Sequence, residues 1–273
     1  MTATTLIIGA KGKTGRRVES LLQAKGIRTR GVSRSSSPAF DWLKPDTWLE
    51  AIQGCESAYV TYQPDLAVPA AKQHIAEFIV QAKKAGIKHL VLLSGRGEQG
   101  AEQAEQQLIN SGLKWNVVRA SWFSQNFSEG FLIESVLAGQ VALPAADVLE
   151  PFVDVDDIAE VAVACLTKPA LANTLFEVTG PELLTLRDCV TQVAQAQNKP
   201  IEFIEISVSQ FVEALKNQGM PAEMLWLMRE LFGSVMDGRN SHLCKGVEQA
   251  LGRKPKSFSS YAAEAHASGA WQR

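Results

Sequence analysis

The chain has 273 residues, of which 46% are apolar and 21% are charged, and its net charge is −2. These are ordinary values for a globular protein that can bury a large core without disulfides or metals. So little net charge gives no general attraction to nucleic acid or to acidic membranes, and neither is expected as a partner. No apolar run approaches the ~20 residues of a membrane helix, and no basic leader precedes the first predicted strand, so we expect a soluble, cytoplasmic protein.

Residues able to bind metals are present but are not arranged as a metal site. The cysteines Cys55, Cys165, Cys189 and Cys244 form no C-x-x-C pair, so reduced and mostly buried thiols are expected. Asp154, Asp156 and Asp157 are close together but lack the glycine and the later glutamate of a calcium loop. Asp156 or Asp157 is better explained as a helix cap, and no metal site is predicted.

Short apolar segments alternate with helical patterns through the first half of the chain. Residues 5–8 are a β-branched apolar run ending at Gly9, and the following pattern predicts a helix over 13–25 and a strand over 29–33. Further helices are predicted over 45–52, 70–85 and 101–110, and further strands over 58–61, 89–93 and 115–119. Such strand–helix–strand units predict an α/β, Rossmann-type doubly wound parallel sheet.

The pattern changes after Gly139. Helices are predicted over 156–166 and 186–196, strands over 174–178 and 201–206, and another helical stretch over 224–236. We therefore expect a dinucleotide-binding domain over residues 1–150 and a smaller α/β substrate-side region over 151–273.

The turn between the first strand and the first helix carries three glycines, Gly9, Gly12 and Gly15. Their spacing is G-x-x-G-x-x-G rather than the commoner G-x-G-x-x-G, but the same physics applies. Gly9 permits a tight turn, Gly12 lets the backbone approach a pyrophosphate, and Gly15 lets the helix press on the sheet. An ordinary βα turn is the alternative, but a position after a strand and before a helix favours nucleotide binding.

The end of the second predicted strand indicates which dinucleotide is bound. A site for NAD usually has an acid there, about 20 residues past the glycines, for the ribose 2′-hydroxyl. This chain has Ser33, Arg34 and Ser35 instead, and an arginine can bind a 2′-phosphate through two hydrogen bonds. Lys13 and Thr14 in the glycine turn are further candidates for binding the cofactor. NADP(H) is therefore predicted in preference to NAD(H), unless Arg34 is only a solvated surface residue.

An ordered set of motifs spans most of the chain up to about Ser207. It comprises Leu-Ile-Ile-Gly-Ala-Lys-Gly-Lys-Thr-Gly-Arg-Arg at 6–17, Val-Ser-Arg at 32–34, Phe-Asp-Trp at 40–42, Val-Val-Arg-Ala-Ser-Trp-Phe-Ser-Gln-Asn-Phe at 117–127, Pro-Phe-Val-Asp-Val-Asp-Asp-Ile-Ala at 151–159 and Val-Thr-Gly-Pro at 178–181. The set resembles the NmrA-like family of atypical short-chain dehydrogenases. That family includes triphenylmethane reductases, type 2 quinone oxidoreductases and festuclavine-dehydrogenase-like proteins.

The resemblance implies further site residues at strand ends, where open α/β sheets bind ligands. It implies that Asp41 and Trp42 lie near the adenine. It also implies contacts with the cofactor from Val60, Thr61, Tyr62, Leu93 and Ser94, and a place beside the nicotinamide for Ala120, Ser121, Trp122 and Phe123. Plain core packing is the alternative for each of the aromatic residues.

One feature of typical short-chain dehydrogenases is missing, the Tyr-x-x-x-Lys pair that supplies a proton. None of the three tyrosines has a lysine four residues later. The helix where the pair would be expected carries Glu98, Glu102 and Glu105, which we interpret as a solvated face.

We therefore expect an NADPH-dependent oxidoreductase that transfers hydride to a small, activated organic acceptor such as a quinone or an iminium. Trp122 and Phe123 are the candidates for stacking on the acceptor, and Tyr62 and Asn126 are the candidate polar contacts. The alternative is a redox sensor of NmrA type that binds the dinucleotide with little or no turnover. A homodimer, or a protein partner in the case of a sensor, is compatible with either hypothesis.

Overall fold

A computed structural model describes residues 3–272. In chain order the elements are β1 (Thr4–Ile8), α1 (Lys13–Ala24), β2 (Arg28–Val32), α2 (Trp48–Ile52), β3 (Cys55–Val60), α3 (Ala71–Lys84), β4 (His89–Gly95), α4 (Gln99–Ile109), β5 (Lys114–Ala120), α5 (Ile133–Leu137), β6 (Gln140–Leu143), α6 (Val155–Thr167), β7 (Thr174–Val178), α7 (Leu186–Gln197), β8 (Glu202–Glu205), α8 (Val208–Asn217), α9 (Ala222–Glu230), α10 (Gly246–Leu251) and α11 (Phe258–Ala267). A π-helical turn, Leu231–Val235, follows α9. Among residues 3–272, no helix combines the length and the apolar character needed to cross a membrane.

The described residues form two compact units. The first unit comprises the chain up to Ala120 together with Asp156–Val178 and Lys245–Arg253, and the second comprises Ser121–Val155, Thr179–Cys244 and the chain from Lys254 onward. The sequence pattern suggested one division at residue 150, whereas each unit here contains three chain segments. The physical reason is that β7 pairs with β5, which places a segment from beyond residue 150 in the first unit.

The first unit is built on a six-stranded sheet with the order β2-β1-β3-β4-β5-β7, and every neighbouring pair is parallel. The predicted α/β fold with a doubly wound parallel sheet is therefore confirmed. The central strand β1 is apolar because helices cover both faces of such a sheet, and its Leu6 and Ile7 are fully buried. The chain runs from β1 to β2 on one side and then from β3 onward on the other, so the order reverses at β1. Ligands bind at such a reversal, outside the carboxyl ends of the strands.

The second unit holds a two-stranded parallel sheet of β6 and β8, together with α7, α8, α9 and α11. Two of its helices begin with a capping box, in which the side chains at the cap and three residues later bond each other's backbone N–H. Thr185 and Asp188 form the box of α7, and Ser207 and Gln210 form that of α8.

The prediction that Asp156 or Asp157 caps a helix is wrong. Both residues lie inside the first turn of α6, because that helix already begins at Val155. There they pair with cations of the same unit: Arg17 lies 2.5 Å from Asp156, and Arg253 lies 2.7 Å from Asp157. Negative charge in a first turn also suits the helix dipole.

Candidate cofactor site

The three glycines of the turn between β1 and α1 have different roles. Gly9 has a φ of +78°, and a Cβ there would lie 2.2 Å from Thr61 Oγ1. A Cβ on Gly15 would lie 2.2 Å from the Gly9 carbonyl oxygen, so α1 approaches the turn more closely than any side chain would allow. A Cβ on Gly12 would meet only that same oxygen, at 3.1 Å. Gly9 and Gly15 are thus required by packing, whereas the space beside Gly12 is open to a ligand.

The N-terminus of α1 is suited to an anion. The first N–H groups of a helix have no acceptor within the helix and carry partial positive charge. The first turn of α1 contains no acid and begins with Lys13, in contrast to the first turns of α6 and α7. Cations at a helix N-terminus are unfavourable by themselves, so this arrangement fits a bound pyrophosphate that would neutralise them.

The carboxyl end of β2 lies against the glycine turn, since the N–H groups of Gly9 and Ala10 both donate to the Val32 carbonyl. Lys11 Nζ donates to Ser35 Oγ at 2.8 Å, which joins the turn to the residues after β2. Arg34 is exposed and has no ion-pair partner among residues 3–272. Lys11, two serine hydroxyls and the adjacent exposed Arg34 therefore stand at the position predicted for a 2′-phosphate, and binding of that phosphate remains a prediction.

Sequence reasoning missed Lys11 as part of this group and did not predict its contact with Ser35. Lys11 stands at a variable position of the glycine pattern, and only the backbone bonds to Val32 bring it near Ser35. Ser36 has a structural role here, because its hydroxyl donates towards the carbonyls of Ser33 and Pro38 and accepts from the Ser33 N–H.

Two of the residues implied by the family resemblance belong to a buried aromatic cluster in the first unit. Trp42 stacks at a tilt on Tyr62 with ring centroids 4.9 Å apart, and its indole N–H donates to the Thr61 carbonyl at 3.0 Å. The hydroxyl of Tyr62 lies 2.7 Å from His74 Nδ1. Asp41 accepts from the Leu43 N–H, which turns its carboxylate back on its own loop. Core packing accounts for both rings, and the contacts with adenine and acceptor remain predictions.

The other predicted cofactor residues of the first unit share one edge of the sheet. The pairing of Val60 with Leu92, and of Gly95 with Ala120, puts the ends of β3, β4 and β5 side by side. At this edge Thr61 Oγ1 donates to the Ile8 carbonyl at 3.0 Å, and Leu93 is partly exposed. Val60, Thr61, Leu93, Ser94 and Ala120 thus lie where the fold binds ligands, although their contacts with a cofactor remain predictions.

The interpretation of the α4 glutamates as a solvated face is wrong for two of the three. Glu102 is exposed, but Glu98 is buried and Glu105 is completely enclosed. Arg119 of β5 binds both carboxylate oxygens of Glu105, and Ser94 Oγ donates to Glu105 at 2.6 Å. The hydrogen bonds to Glu105 raise the pKa of Arg119 further above its ordinary value. The ion pair with Arg119, on the adjacent strand, offsets the cost of burying the Glu105 carboxylate. The periodicity of α4 alone does not indicate that such a partner exists.

A pair of carboxyl groups that sequence reasoning also missed lies after β3 and β4. Asp65 and Glu98 are hydrogen-bonded to each other, and the Ala67 N–H donates to Asp65 at 2.8 Å. Two carboxyl groups can share a hydrogen bond only when one is protonated. Accordingly, burial raises the pKa of Asp65, while the bonds from Ala67 and Glu98 oppose that rise. The close approach of α4 makes the pair, since a Cβ on Gly100 would lie 2.3 Å from the Ala67 carbonyl oxygen.

The residues that follow β5 belong to the second unit. Ser121 donates to the buried Glu150 at 3.3 Å, and the Trp122 ring lies 5.1 Å from Phe232. Phe123 bridges to Val153 and immediately precedes a short helical turn that contains Asn126. Trp122, Phe123 and Asn126 are all partly exposed. The structure therefore leaves the side chains of these three candidates reachable from solvent, and it adds Phe232, which no motif indicated.

Comparison with known proteins gives consistent relatives. A family model described as NAD(P)H-binding matches residues 9–169. The chain is 30% identical to agroclavine dehydrogenase of Claviceps fusiformis, with 96% of each chain covered. It is 28% identical to an NAD(P)H azoreductase of Xenophilus azovorans, over 96% of this chain and 97% of that one. It is also 27% identical to prestalk A differentiation protein A of Dictyostelium discoideum, over 95% of this chain and 91% of that one.

Solved structures share the fold at low sequence identity. An NADPH-dependent quinone oxidoreductase from Escherichia coli, complexed with NADPH, has a TM-score of 0.75 and 18% identity, over 96% of this chain and 99% of that one. A Citrobacter triphenylmethane reductase complexed with NADP(H) has a TM-score of 0.73 and 15% identity, with the same coverage. The resemblance inferred from the motifs is confirmed. Since the family model covers more than half of the chain and begins at the first glycine of the turn, this protein belongs to the NAD(P)H-binding family of oxidoreductases.

Proposed function

We propose that this protein is an NADPH-dependent reductase of small, activated organic acceptors. The observation that carries the preference for NADPH is the segment after β2, where Lys11 contacts Ser35, Arg34 is exposed, and residues 33–36 contain no acid. A hydrogen bond to a charged group contributes about 1.5–3 kcal/mol, which corresponds to roughly tenfold to a hundredfold in affinity. The residues fit the cofactor: the glycine turn and the α1 N-terminus would hold the pyrophosphate, and Arg34 with Lys11 the 2′-phosphate.

The acceptor class follows from what the residues can do. NADPH, when bound, supplies a hydride. Reduction of an ordinary ketone builds negative charge on oxygen and needs a proton donor or an oxyanion stabiliser. No Tyr-x-x-x-Lys pair is present, and the hydroxyl of Ser94 already donates to Glu105. Quinones and iminium ions depend less on a proton donor or an oxyanion stabiliser, because they are already electrophilic. The protein then mainly has to orient its substrates.

In this proposal the partly exposed rings of Trp122 and Phe123 stack on a planar acceptor, and Asn126 offers it a polar contact. Tyr62 is the weaker candidate for a polar contact, because its hydroxyl is bonded to His74 and its ring is buried. The azoreductase and the agroclavine dehydrogenase among the relatives support a small organic acceptor.

The cofactor preference is tested with NADPH and NADH on the wild type and on Arg34→Asp. We expect the wild type to bind NADPH at least about tenfold more tightly, and the variant to lose or reverse that preference because the new carboxylate repels a 2′-phosphate. Isothermal titration calorimetry measures all four affinities. Equal affinities of the wild type for the two nucleotides would refute the assignment.

Turnover is tested by following NADPH oxidation at 340 nm across quinones, iminium compounds and cationic dyes. Fast reduction of one of these classes, with slow reduction of simple aliphatic ketones, is expected. Fast ketone reduction would mean that a proton donor acts in this site.

A redox-sensing role is the alternative function. One relative, 27% identical over 95% of this chain, is named as a differentiation protein rather than as an enzyme. A sensor would bind a protein partner in only one redox state of the dinucleotide and would oxidise NADPH with none of the acceptors.

A further inference from the structure

The two carboxyl groups of Asp65 and Glu98 have no part in the function proposed above. Both residues belong to the first unit, and they are hydrogen-bonded to each other. Glu98 is 8% exposed, and Asp65 also accepts a hydrogen bond from the Ala67 N–H at 2.8 Å. Carboxyl groups bonded in this way share one proton, so together they carry one negative charge and can release one proton.

The pair lies at the edge of the sheet where the dinucleotide is expected. Asp65 belongs to the segment that follows β3, and Glu98 immediately precedes α4. A Cβ on Gly95 would overlap the Glu98 carboxyl, so that carboxyl packs directly on the last residue of β4. Gly95 pairs with Ala120 of β5, the residue that the family resemblance places beside the nicotinamide. A charge on the nicotinamide would therefore act on the pair through the protein interior, where water screens it poorly.

Neighbouring charged groups do not supply a counterion for Asp65. Those on the adjoining loop and helices have partners of their own or are exposed: Arg96 pairs with Glu177, Glu102 and Glu105 with Arg119, His74 with Tyr62, and Lys72 is exposed. Among residues 3–272 no Lys or Arg forms an ion pair with Asp65, and burial is the largest influence on its pKa, which it raises. A cationic ring bound at this edge would be the counterion that Asp65 lacks.

We propose, on the basis of the reductase function proposed above, that the Asp65–Glu98 pair holds a proton while NADPH is bound and releases it once the nicotinamide is oxidised. The oxidised ring is a cation and the reduced ring is neutral, so only NADP⁺ favours the doubly charged pair. For a quinone acceptor the balance is complete. The hydride brings both electrons and one hydrogen to the quinone, the proton from the pair neutralises the quinol anion, and solvent returns a proton to the pair after NADP⁺ has left. Because this release follows hydride transfer, an ordinary ketone still lacks a donor during that step.

The test is isothermal titration calorimetry of NADP⁺ and of NADPH, from pH 5 to pH 8, in two buffers with different enthalpies of ionisation. The difference in heat between the buffers gives the number of protons released on binding. Both nucleotides carry the 2′-phosphate, so the difference between their proton counts reports the charge of the nicotinamide ring. We expect NADP⁺ to release a fraction of a proton more than NADPH. By linkage, the affinity for NADP⁺ should then rise several-fold relative to that for NADPH as pH increases.

Matched variants assign the proton to the pair. Asp65→Asn removes one carboxyl but keeps an amide that can donate to Glu98, so the difference in proton release should vanish. Glu98→Gln should abolish it too, because Asp65 then ionises without a second carboxylate beside it. Glu102→Gln is the control, since it removes an exposed carboxylate one turn further along α4, and it should leave the difference unchanged.

Equal proton counts for the two nucleotides in the wild type at every pH, or a difference that Asp65→Asn keeps, would overturn the inference. Because no hydride is transferred in this measurement, it fails separately from the proposed function. Oxidation of NADPH by an acceptor, without any difference in proton release, would refute the role of the pair and leave the reductase intact. The expected difference in proton release, without oxidation of NADPH by any acceptor, would support the pair and refute the reductase.

Discussion

Replacing Arg119 by methionine should destabilise the protein severely, and the reason lies in the burial of Glu105. That carboxylate is fully enclosed, and Arg119 binds both of its oxygens from an 18% exposed side chain. The cost of a buried ion pair that loses one partner is about 3–5 kcal/mol, because the remaining charge has neither water nor a counterion. In a protein of this size that corresponds to a drop of roughly 10 °C in Tm.

Urea unfolding of the wild type, Arg119→Met and Arg119→Met/Glu105→Gln at pH 8 is the assay. The double variant should recover most of the loss at pH 8, since the neutral amide can still accept the Ser94 hydroxyl. A loss below about 1 kcal/mol, typical of surface pairs, would refute the reasoning, as would a double variant no more stable than the single one.

Three further predictions concern other parts of the molecule. Gly12→Val should abolish NADPH binding in calorimetry with a smaller loss of Tm than Gly15→Ala, because an added Cβ would lie 3.1 Å from the Gly9 carbonyl oxygen at position 12 but only 2.2 Å from it at position 15. Normal binding by the Gly12 variant would exclude the turn as the phosphate site. Asp65→Asn should be more stable than the wild type at pH 7 and should lose that advantage towards pH 4. The raised pKa of Asp65 makes the wild type less stable as pH rises above the ordinary value of 3.8. A constant difference in Tm between the two proteins across this pH range would contradict the protonated pair. Trp122→Ala should lower kcat/KM for a planar acceptor by about tenfold while leaving the NADPH Kd nearly unchanged. An equal weakening of acceptor turnover and of NADPH binding would show that the ring supports the fold rather than the acceptor.

Local sequence patterns were enough to predict the fold class and to identify the turn expected to bind the dinucleotide. The run at residues 5–8, the three glycines and the following helical pattern are local signals, and each depends on neighbours within a few residues. The absence of an acid after β2 could be seen directly at Ser33, Arg34 and Ser35. These conclusions did not require knowing which distant segments meet.

The roles of side chains whose partners are distant in sequence could be recognised only from the folded chain. Glu105 resembles a solvated helix residue until β5 places Arg119 beside it. Lys11 joins the residues after β2 only through backbone bonds between the glycine turn and that strand. Phe232 lies 110 positions after Trp122, and their ring contact follows from packing in the second unit. Local patterns report propensity and periodicity, whereas buried charge pairs and ring clusters depend on long-range packing that no local pattern encodes.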